Sequence, residues 1–417
     1  MNFKFSDEVE DLKFRVQDFM DRYVIPRNRQ FHDLEKDGKQ NDPEALAFIQ
    51  DLRMLAKSEG LWNLFMPGLR EDEPGHGLSN YDFAPLMEIM GRIPWSLQVF
   101  NCNAPNTGNM ELLHAAANEE QRQKYLMPLL EGEATSCFSM SEPDVASSDA
   151  TNISTSIKLD GNEYVINGRK WFSSNFLHPD CAFAIVLGKT DPDAERHSQQ
   201  SMILVPKDTP GVNVIRDVPV FNAAHTGGHV EIVYDNVRVP TSNLLGEEGD
   251  GFAIAQRRLG PGRIHYGMRC IGMAELALEL MVARSGERKA FGKYLYEHGM
   301  TAEPIARSRI EIDQARLFVL QVAKTMDEVG PKAARKEIAM IKVLASELVC
   351  TVCDRAMQVH GAMGLSSDTP LLDMYTWGRV MRVADGPNEV HLNAIAKMEV
   401  RGNDPMGATR FYLGPTS

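Results

Sequence analysis

Apolar residues recur at helical spacing along the first third of the chain, where Val9, Leu12, Val16 and Phe19 form one stripe among acids and lysines. The pattern predicts helices from residue 7 to about 130, interrupted by the Pro/Gly-rich "MPGLREDEPGHGLSN" and closed by a short helix in "NEEQRQKYLMPLLEGE". Between about 134 and 245 the period falls to two. "ISTSIKLDGNEYVINGRKWFSS" alternates and carries Asp160-Gly161 and Asn167-Gly168, dipeptides that favour tight hairpin turns. "CAFAIVLGKT", "SMILVPKD", "VNVIRDVPV" and "HVEIVYDNVRVP" follow as further strands. From 249 the helical period returns, predicting helices at about 252–285, 304–329, 332–360 and 392–400. Long helices with short connections imply an up-and-down bundle. The fold class expected is therefore α+β and multidomain: an all-α domain (1–133), a β domain (134–245), an α-helical bundle (246–401) and an irregular tail (402–417).

Composition narrows the function without naming it. A chain of 417 residues exceeds one ordinary core, so two or three subdomains are expected. The formal net charge of -13, without a clustered basic surface, argues against nucleic acid as the main partner. It also suits anionic membranes poorly. No apolar run approaches the roughly 20 residues of a membrane span. The opening "MNFKFSDEVEDLKF" has acids where a secretory signal is apolar, so a cytoplasmic protein is expected. The six cysteines are scattered, and Cys350-x-x-Cys353 sits inside a helical pattern with no second Cys/His pair at zinc spacing. Structural thiols and no metal are the expectation.

The stretch "RVADGPNEVH" reads as a turn feeding a helix, with Pro387 at the first helical position and Asp385 just outside it. Taken alone, a carboxylate there is more simply a helix-start residue than a base. No Gly-rich dinucleotide loop, P-loop or H-E-x-x-H offers a rival site. Four other stretches accompany it in order: "CFSMSEPDVASSD", "KWFSSN", "ERKAFGK" and "QVHGAMG".

That ordered set resembles the acyl-CoA dehydrogenase family, and within it the subgroup related to acyl-CoA dehydrogenases 10 and 11. The likeness runs from about Phe5 to Arg401. It implies a helical N-terminal domain, a middle β-barrel or sandwich, a C-terminal four-helix bundle, and FAD as cofactor. By resemblance, Phe138, Met140 and Ser141 address the isoalloxazine, and Ser147 or Ser148 lies near the flavin pyrophosphate or the substrate. One extra residue between Pro143 and Asp149 leaves the choice of serine open. Phe172 stands where the family's stacking aromatic is usually tryptophan, follows Trp171, and offers a π-face without an indole N–H; Ser174 holds the hydroxyl position.

Arg288, Phe291 and Gly292 match a loop that reaches the cofactor pyrophosphate across a dimer interface, a task for which arginine's two-pronged fork is suited. Gln358 and Gly361 match the partner loop near the adenosine half, with Ala362 replacing its second glycine. Arg263 matches an arginine at the start of the first bundle helix, near the acyl-CoA.

The family removes the α-proton of an acyl-CoA thioester while a β-hydride passes to flavin N5. The resemblance puts Asp385 in the place of the catalytic glutamate, one methylene shorter, with Gly386 beside the substrate and Pro387 and Glu389 beside the flavin. Pro387 replaces the usual threonine and removes a donor N–H. The family's alternative base position is Gly262 here. Ala384 and Phe172, smaller than the usual tyrosine and tryptophan, point to a roomier acyl pocket. The expected activity is α,β-dehydrogenation to the trans-2-enoyl-CoA in fatty-acid β-oxidation, with electron-transferring flavoprotein as acceptor and a homodimer or homotetramer as the assembly. An acyl-CoA oxidase or flavin monooxygenase of the same fold, and a non-catalytic flavin- or CoA-binding scaffold, are the alternatives.

Overall fold

The computed structural model describes residues 4–36, 39, 41–221 and 225–402. They divide into two compact units, one ending at His265 and the other beginning at Tyr266. In the first, α1 (Asp7–Phe19) starts where the Ser6 hydroxyl accepts the Val9 N–H at 3.2 Å, and it buries Val9, Leu12, Val16 and Phe19, the stripe that the spacing predicts. Then come α2 (Asn28–Lys36), α3 (Pro43–Ser58), α4 (Asn80–Gly91) and α5 (Asn106–Ala116). A capping box of Asn118 and Gln121 opens α6 (Glu119–Gln121), which passes through a π-helical turn (Arg122–Leu126) into α7 (Met127–Glu131). Buried hydrogen bonds tie α5 to the sheet: the Ser136 N–H donates to Asn106 Oδ1 at 2.9 Å, and Asn109 Nδ2 donates to Ser136 Oγ at 2.9 Å.

The β region comprises β1 (Thr135–Ser139), β2 (Ser156–Asp160), β3 (Glu163–Ser174), β4 (Cys181–Lys189), β5 (Gln200–Pro206), β6 (Val212–Asp217), β7 (His229–Pro240) and β8 (Leu244–Leu245). They form an eight-stranded sheet in the order β6-β7-β3-β2-β4-β5-β8, with β1 parallel to β4. Its core gathers Cys137, Ile157, Ile166, Val186, Ile203 and Ile232. The Asp160-Gly161 signal does make a hairpin, with Asp160 opposite Glu163 and Gly161 at φ +68°. Asn167-Gly168 does not. Both residues lie inside β3, where the pairing with β7 slips between Ile166 and Gly168. Glycine is required there by close approach, since a Cβ would stand 2.3 Å from Thr155 Oγ1.

Helix α8 (Gly251–Glu287) carries the chain over the division. The second unit continues through a two-strand hairpin, β9 (Lys289–Ala290) and β10 (Lys293–Tyr294), to α9 (Gly299–Val329), α10 (Arg335–His360), α11 (Leu371–Met381) and α12 (Asn388–Gly402). Three details differ from the sequence pattern. First, α9 starts ahead of Pro304 because the His298 carbonyl accepts the N–H groups of Thr301 and Ala302 at 2.8 and 3.1 Å, so the proline falls inside the helix.

Second, the pattern does not predict α11; it begins after Pro370, whose carbonyl accepts the Met374 N–H at 3.0 Å, and it buries Leu371, Met374, Gly378 and Met381. Third, Pro387 lies one place outside α12, its carbonyl accepting from Val390 at 3.0 Å and His391 at 3.4 Å. The tail expected to be irregular lies outside the described residues beyond Gly402. Among the described residues no helix is long and apolar enough to cross a membrane. All six cysteines are free thiols, and Cys350 and Cys353 both lie on α10.

Candidate active site

Alternation along β3 sends Tyr164, Ile166 and Lys170 inward, so a lysine occupies a core position with no exposure at all. Its ammonium donates to the Met140 carbonyl at 2.8 Å and to Glu142 Oε1 at 2.9 Å. Glu142 also accepts the Ser154 N–H at 2.7 Å, the Ser154 hydroxyl at 2.6 Å and the Thr155 N–H at 2.9 Å. Burial would raise the Glu142 carboxyl, but the Lys170 charge and these donors outweigh it and hold it well below the usual carboxylate range. Burial pushes the Lys170 ammonium down to about 8, with Glu142 pulling it back up. The pair is therefore charged at neutral pH, and it clamps residues 140–142 against β3.

The clamp gathers the candidates of the β region. The Trp171 N–H donates to the Ser141 carbonyl at 3.0 Å, and the Ser139 and Ser173 hydroxyls meet at 2.9 Å. Phe138, Met140 and Ser141 are half-buried along this seam. The ladder to β7 slips again between Lys170 and Ser173, leaving Trp171 and Phe172 on a bulge. Phe172 is turned outward there, 42% exposed at φ +50°. Two residues on, Ser174 Oγ lies 2.7 Å from His229 Nδ1. Of the two candidate serines, Ser147 uses its hydroxyl to accept the Glu142 N–H at 2.8 Å, which makes it part of the loop's own scaffold. Ser148 is exposed.

In the second unit the candidates occupy separate places along the chain. Arg288 is exposed ahead of the β9–β10 hairpin, whose two-residue tip is Phe291 and Gly292 at φ +51° and +81°. Both tip residues take the left-handed conformation that such a turn demands, and Phe291 is 99% exposed. Gln358 is exposed in the last turn of α10, which Gly361 ends at φ +64°. Arg263, expected at the start of the first bundle helix, is instead well inside α8, which begins twelve residues earlier at Gly251; it is half-buried and falls in the first unit.

Asp385 sits in the turn between α11 and α12 at φ +55°, exposed, and is followed by Gly386 at φ +91°. The turn is braced from behind. The Asn388 N–H donates to the Arg382 carbonyl at 3.0 Å, closing the loop. Lys342, fully buried on α10, donates to Asn388 Oδ1 at 3.1 Å, and Asn388 Nδ2 donates to Glu347 at 3.3 Å. His391 Nε2 stands 3.3 Å from the Asp385 carbonyl, and the Tyr266 hydroxyl donates to the Met381 carbonyl at 3.0 Å. Glu389 is exposed on the first turn of α12.

Left-handed backbone links these places. Among the described non-glycine residues with positive φ, Asn63, Asn101, Asn175, Asn236 and Asp385 are of types that tolerate it; the others are Phe172, Phe221 and Phe291. An aromatic in that region is strained and persists only where its surroundings over-determine it, a feature concentrated at functional sites. Sequence reasoning passed over Lys170, Glu142, Lys342, Asn388 and His229. Two of these carried a signal: Lys170 and Lys342 are charges on otherwise apolar stripes, at the two-residue and 3.6-residue periods respectively.

Comparison with known proteins agrees with this architecture. The N-terminal, middle and C-terminal domain models of acyl-CoA dehydrogenases match residues 6–133, 137–237 and 249–399. The probable acyl-CoA dehydrogenase FadE2 of Mycobacterium tuberculosis is 51% identical over 404 residues, covering 96% of this chain and 97% of that protein. Acyl-CoA dehydrogenase family member 11 of Homo sapiens is 49% identical over 94% of this chain, which spans 50% of that longer protein. A solved Mycobacterium abscessus structure described as an acyl-CoA dehydrogenase superposes with a TM-score of 0.90 at 45% identity, over 96% of this chain and 99% of that one.

Butyryl-CoA dehydrogenase from Megasphaera elsdenii gives 0.81 at 25% identity, over 96% and 100%. The chain belongs to the acyl-CoA dehydrogenase family, and it is an FAD-dependent oxidoreductase. Its residues fit such a cofactor: an aromatic face turned outward on a strained bulge, a hydroxyl two residues along, and half-buried Met140 and Ser141 clamped beside them. Flat heteroaromatic rings with donors and acceptors along one edge call for that set.

Proposed function

We propose that the protein catalyses α,β-dehydrogenation of an acyl-CoA thioester to the trans-2-enoyl-CoA, with Asp385 as the base that removes the α-proton. Family membership supports the reaction class. The observation that carries the assignment of the base is the braced, left-handed turn that projects Asp385 from the end of α11, with Gly386 next in line. Pro387, not Asp385, adjoins the first residue of α12, its carbonyl accepting from Val390 and His391. A thioester α-carbon is a weak acid, so a carboxylate must be held in place while the enolate oxygen is stabilised. The flavin, when bound, accepts the β-hydrogen with its electron pair.

In the same reading Phe138, Met140, Ser141, Phe172 and Ser174 address the flavin ring, and Ser148 rather than Ser147 serves the pyrophosphate or the substrate. Arg288, Phe291, Gln358 and Gly361 address the far half of the cofactor, Pro387 and Glu389 its edge, and Arg263 with Gly386 the acyl-CoA. Phe291 at the tip of a strained hairpin supports an assembly in which a second copy covers it, a dimer or tetramer. Electron-transferring flavoprotein as acceptor, a role in β-oxidation, a cytoplasmic setting and domain limits near 133, 245 and 401 complete the proposal. The test is anaerobic mixing of the yellow holoenzyme with a panel of acyl-CoA esters. Bleaching with formation of enoyl-CoA is expected for at least one member; rapid oxygen consumption by the bleached enzyme would favour an oxidase, and no bleaching by any member would overturn the assignment.

A further inference from the structure

With Ser174 assigned to the flavin ring, its neighbour His229 is left without a role, and any role it has through that hydroxyl rests on the same assignment. Ser174 and His229 are cross-strand partners in the β3–β7 ladder, so their side chains share a face. The Ser174 hydroxyl lies 2.7 Å from His229 Nδ1, a close contact. The His229 ring also neighbours Phe172, with centroids 6.4 Å apart, while His225 packs edge-on against it at 4.8 Å. Its backbone is fixed too. Asp217 Oδ1 accepts the His229 N–H and the Val218 N–H, each at 2.9 Å.

A hydroxyl has one hydrogen and two lone pairs, so the partner that claims one side decides what the other side offers. Burial first, then the adjacent His225, holds the His229 imidazole down at about 4, so the ring is neutral near pH 7. One tautomer takes the Ser174 hydrogen and leaves a lone pair for the cofactor; the other donates and leaves the hydrogen, for which the Phe172 carbonyl at 3.4 Å competes. In neither case does the hydroxyl rotate freely.

We propose that His229 is a positioning residue for the reaction: it locks the Ser174 hydroxyl in one orientation and thereby sets the hydrogen-bonding role that hydroxyl presents to the flavin. His229 acts through Ser174 and needs no contact with substrate.

The test uses FAD-loaded enzyme carrying Ser174→Ala, His229→Leu, the double substitution, His229→Asn and His229→Gln. Asparagine returns a polar atom near the place of Nδ1, whereas glutamine carries it one bond further. All variants should stay yellow. His229→Leu should shift the visible flavin spectrum and slow anaerobic bleaching about three- to tenfold, the worth of one hydrogen bond. Its KM should stay within about twofold. His229→Asn should recover spectrum and rate, His229→Gln should not, and the double variant should be no slower than Ser174→Ala alone. A wild-type spectrum and rate in His229→Leu, or additive losses in the double variant, would overturn the inference while leaving the Ser174 assignment intact. A Ser174→Ala enzyme identical to wild type in both readouts would sink that assignment, and this inference with it. Should His229→Leu fail to fold, the asparagine and glutamine variants decide: identical behaviour of the two contradicts the inference.

Discussion

The β domain and the helical bundle each set a fully buried lysine behind an irregular piece of backbone, yet they engage it differently. Lys170 faces a carboxylate, Glu142, which three further donors also engage; Lys342 faces the amide of Asn388. The first arrangement is a charge pair clamping the strand ends that carry Met140 and Ser141. The second is a charged hydrogen bond that fixes the turn carrying Asp385. A buried pair is far more sensitive to loss of one member than a charge-to-amide contact, because the orphaned partner is itself a charge. The β region should therefore fail by unfolding, and the bundle turn by losing alignment.

The largest effect should come from Lys170→Met, which strands Glu142: about 3–5 kcal/mol of stability, seen as the greatest fall in thermal midpoint among these variants and as loss of FAD. Adding Glu142→Gln should recover part of it by removing the stranded charge, its single amide oxygen still accepting from Ser154 while the amide nitrogen faces the Thr155 N–H. If the double variant is no better than the single, the charge-pair account of this region is wrong. Lys342→Met should remove about 1–2 kcal/mol and leave the flavin bound while turnover drops. Equal stability losses in the two lysine variants would erase the distinction between the regions.

Acid sharpens it further. Glu142 is held down at about 2 against its ordinary 4.5, so the folded chain binds fewer protons than the unfolded one: its contribution is complete above about 4.5 and is lost as pH falls from there through about 2. Glu142→Gln should flatten the dependence of the thermal midpoint on pH below about 5, whereas Asn388→Asp, which introduces a carboxylate facing Lys342, should steepen it.

The sequence made the three regions legible because the hydrophobic period changes from helical to two and back again, and the stripe Val9, Leu12, Val16, Phe19 is buried as its spacing requires. Local signals were less dependable. Asn167-Gly168 has the composition of a hairpin turn, but the close approach of Thr155 claims that glycine for a bulge inside β3. Pro304 has the look of a helix start, yet the His298 carbonyl has already started the helix. The stretch from Leu371 to Met381 mixes aromatic, charged and small residues, so its periodicity is faint even though Pro370 marks its beginning.

Of the candidate site, motif residues such as Phe172 and Asp385 were visible from resemblance. Their supports were not, because the contacts of Lys342 with Asn388 and of Ser174 with His229 join positions far apart in the chain. Left-handed backbone at Phe172 and Phe291 is likewise a property of three dimensions, with no mark in the residue types themselves.

The most direct measurement is the rate of anaerobic flavin bleaching by a good acyl-CoA substrate in Asp385→Asn, compared with wild type and Asp385→Glu. The amide keeps the size of the side chain and cannot take a proton, so the rate should fall by about a thousandfold while the flavin spectrum and acyl-CoA binding persist, and the glutamate variant should retain measurable turnover. An Asp385→Asn enzyme that bleaches within about threefold of wild type would mean that another group removes the α-proton.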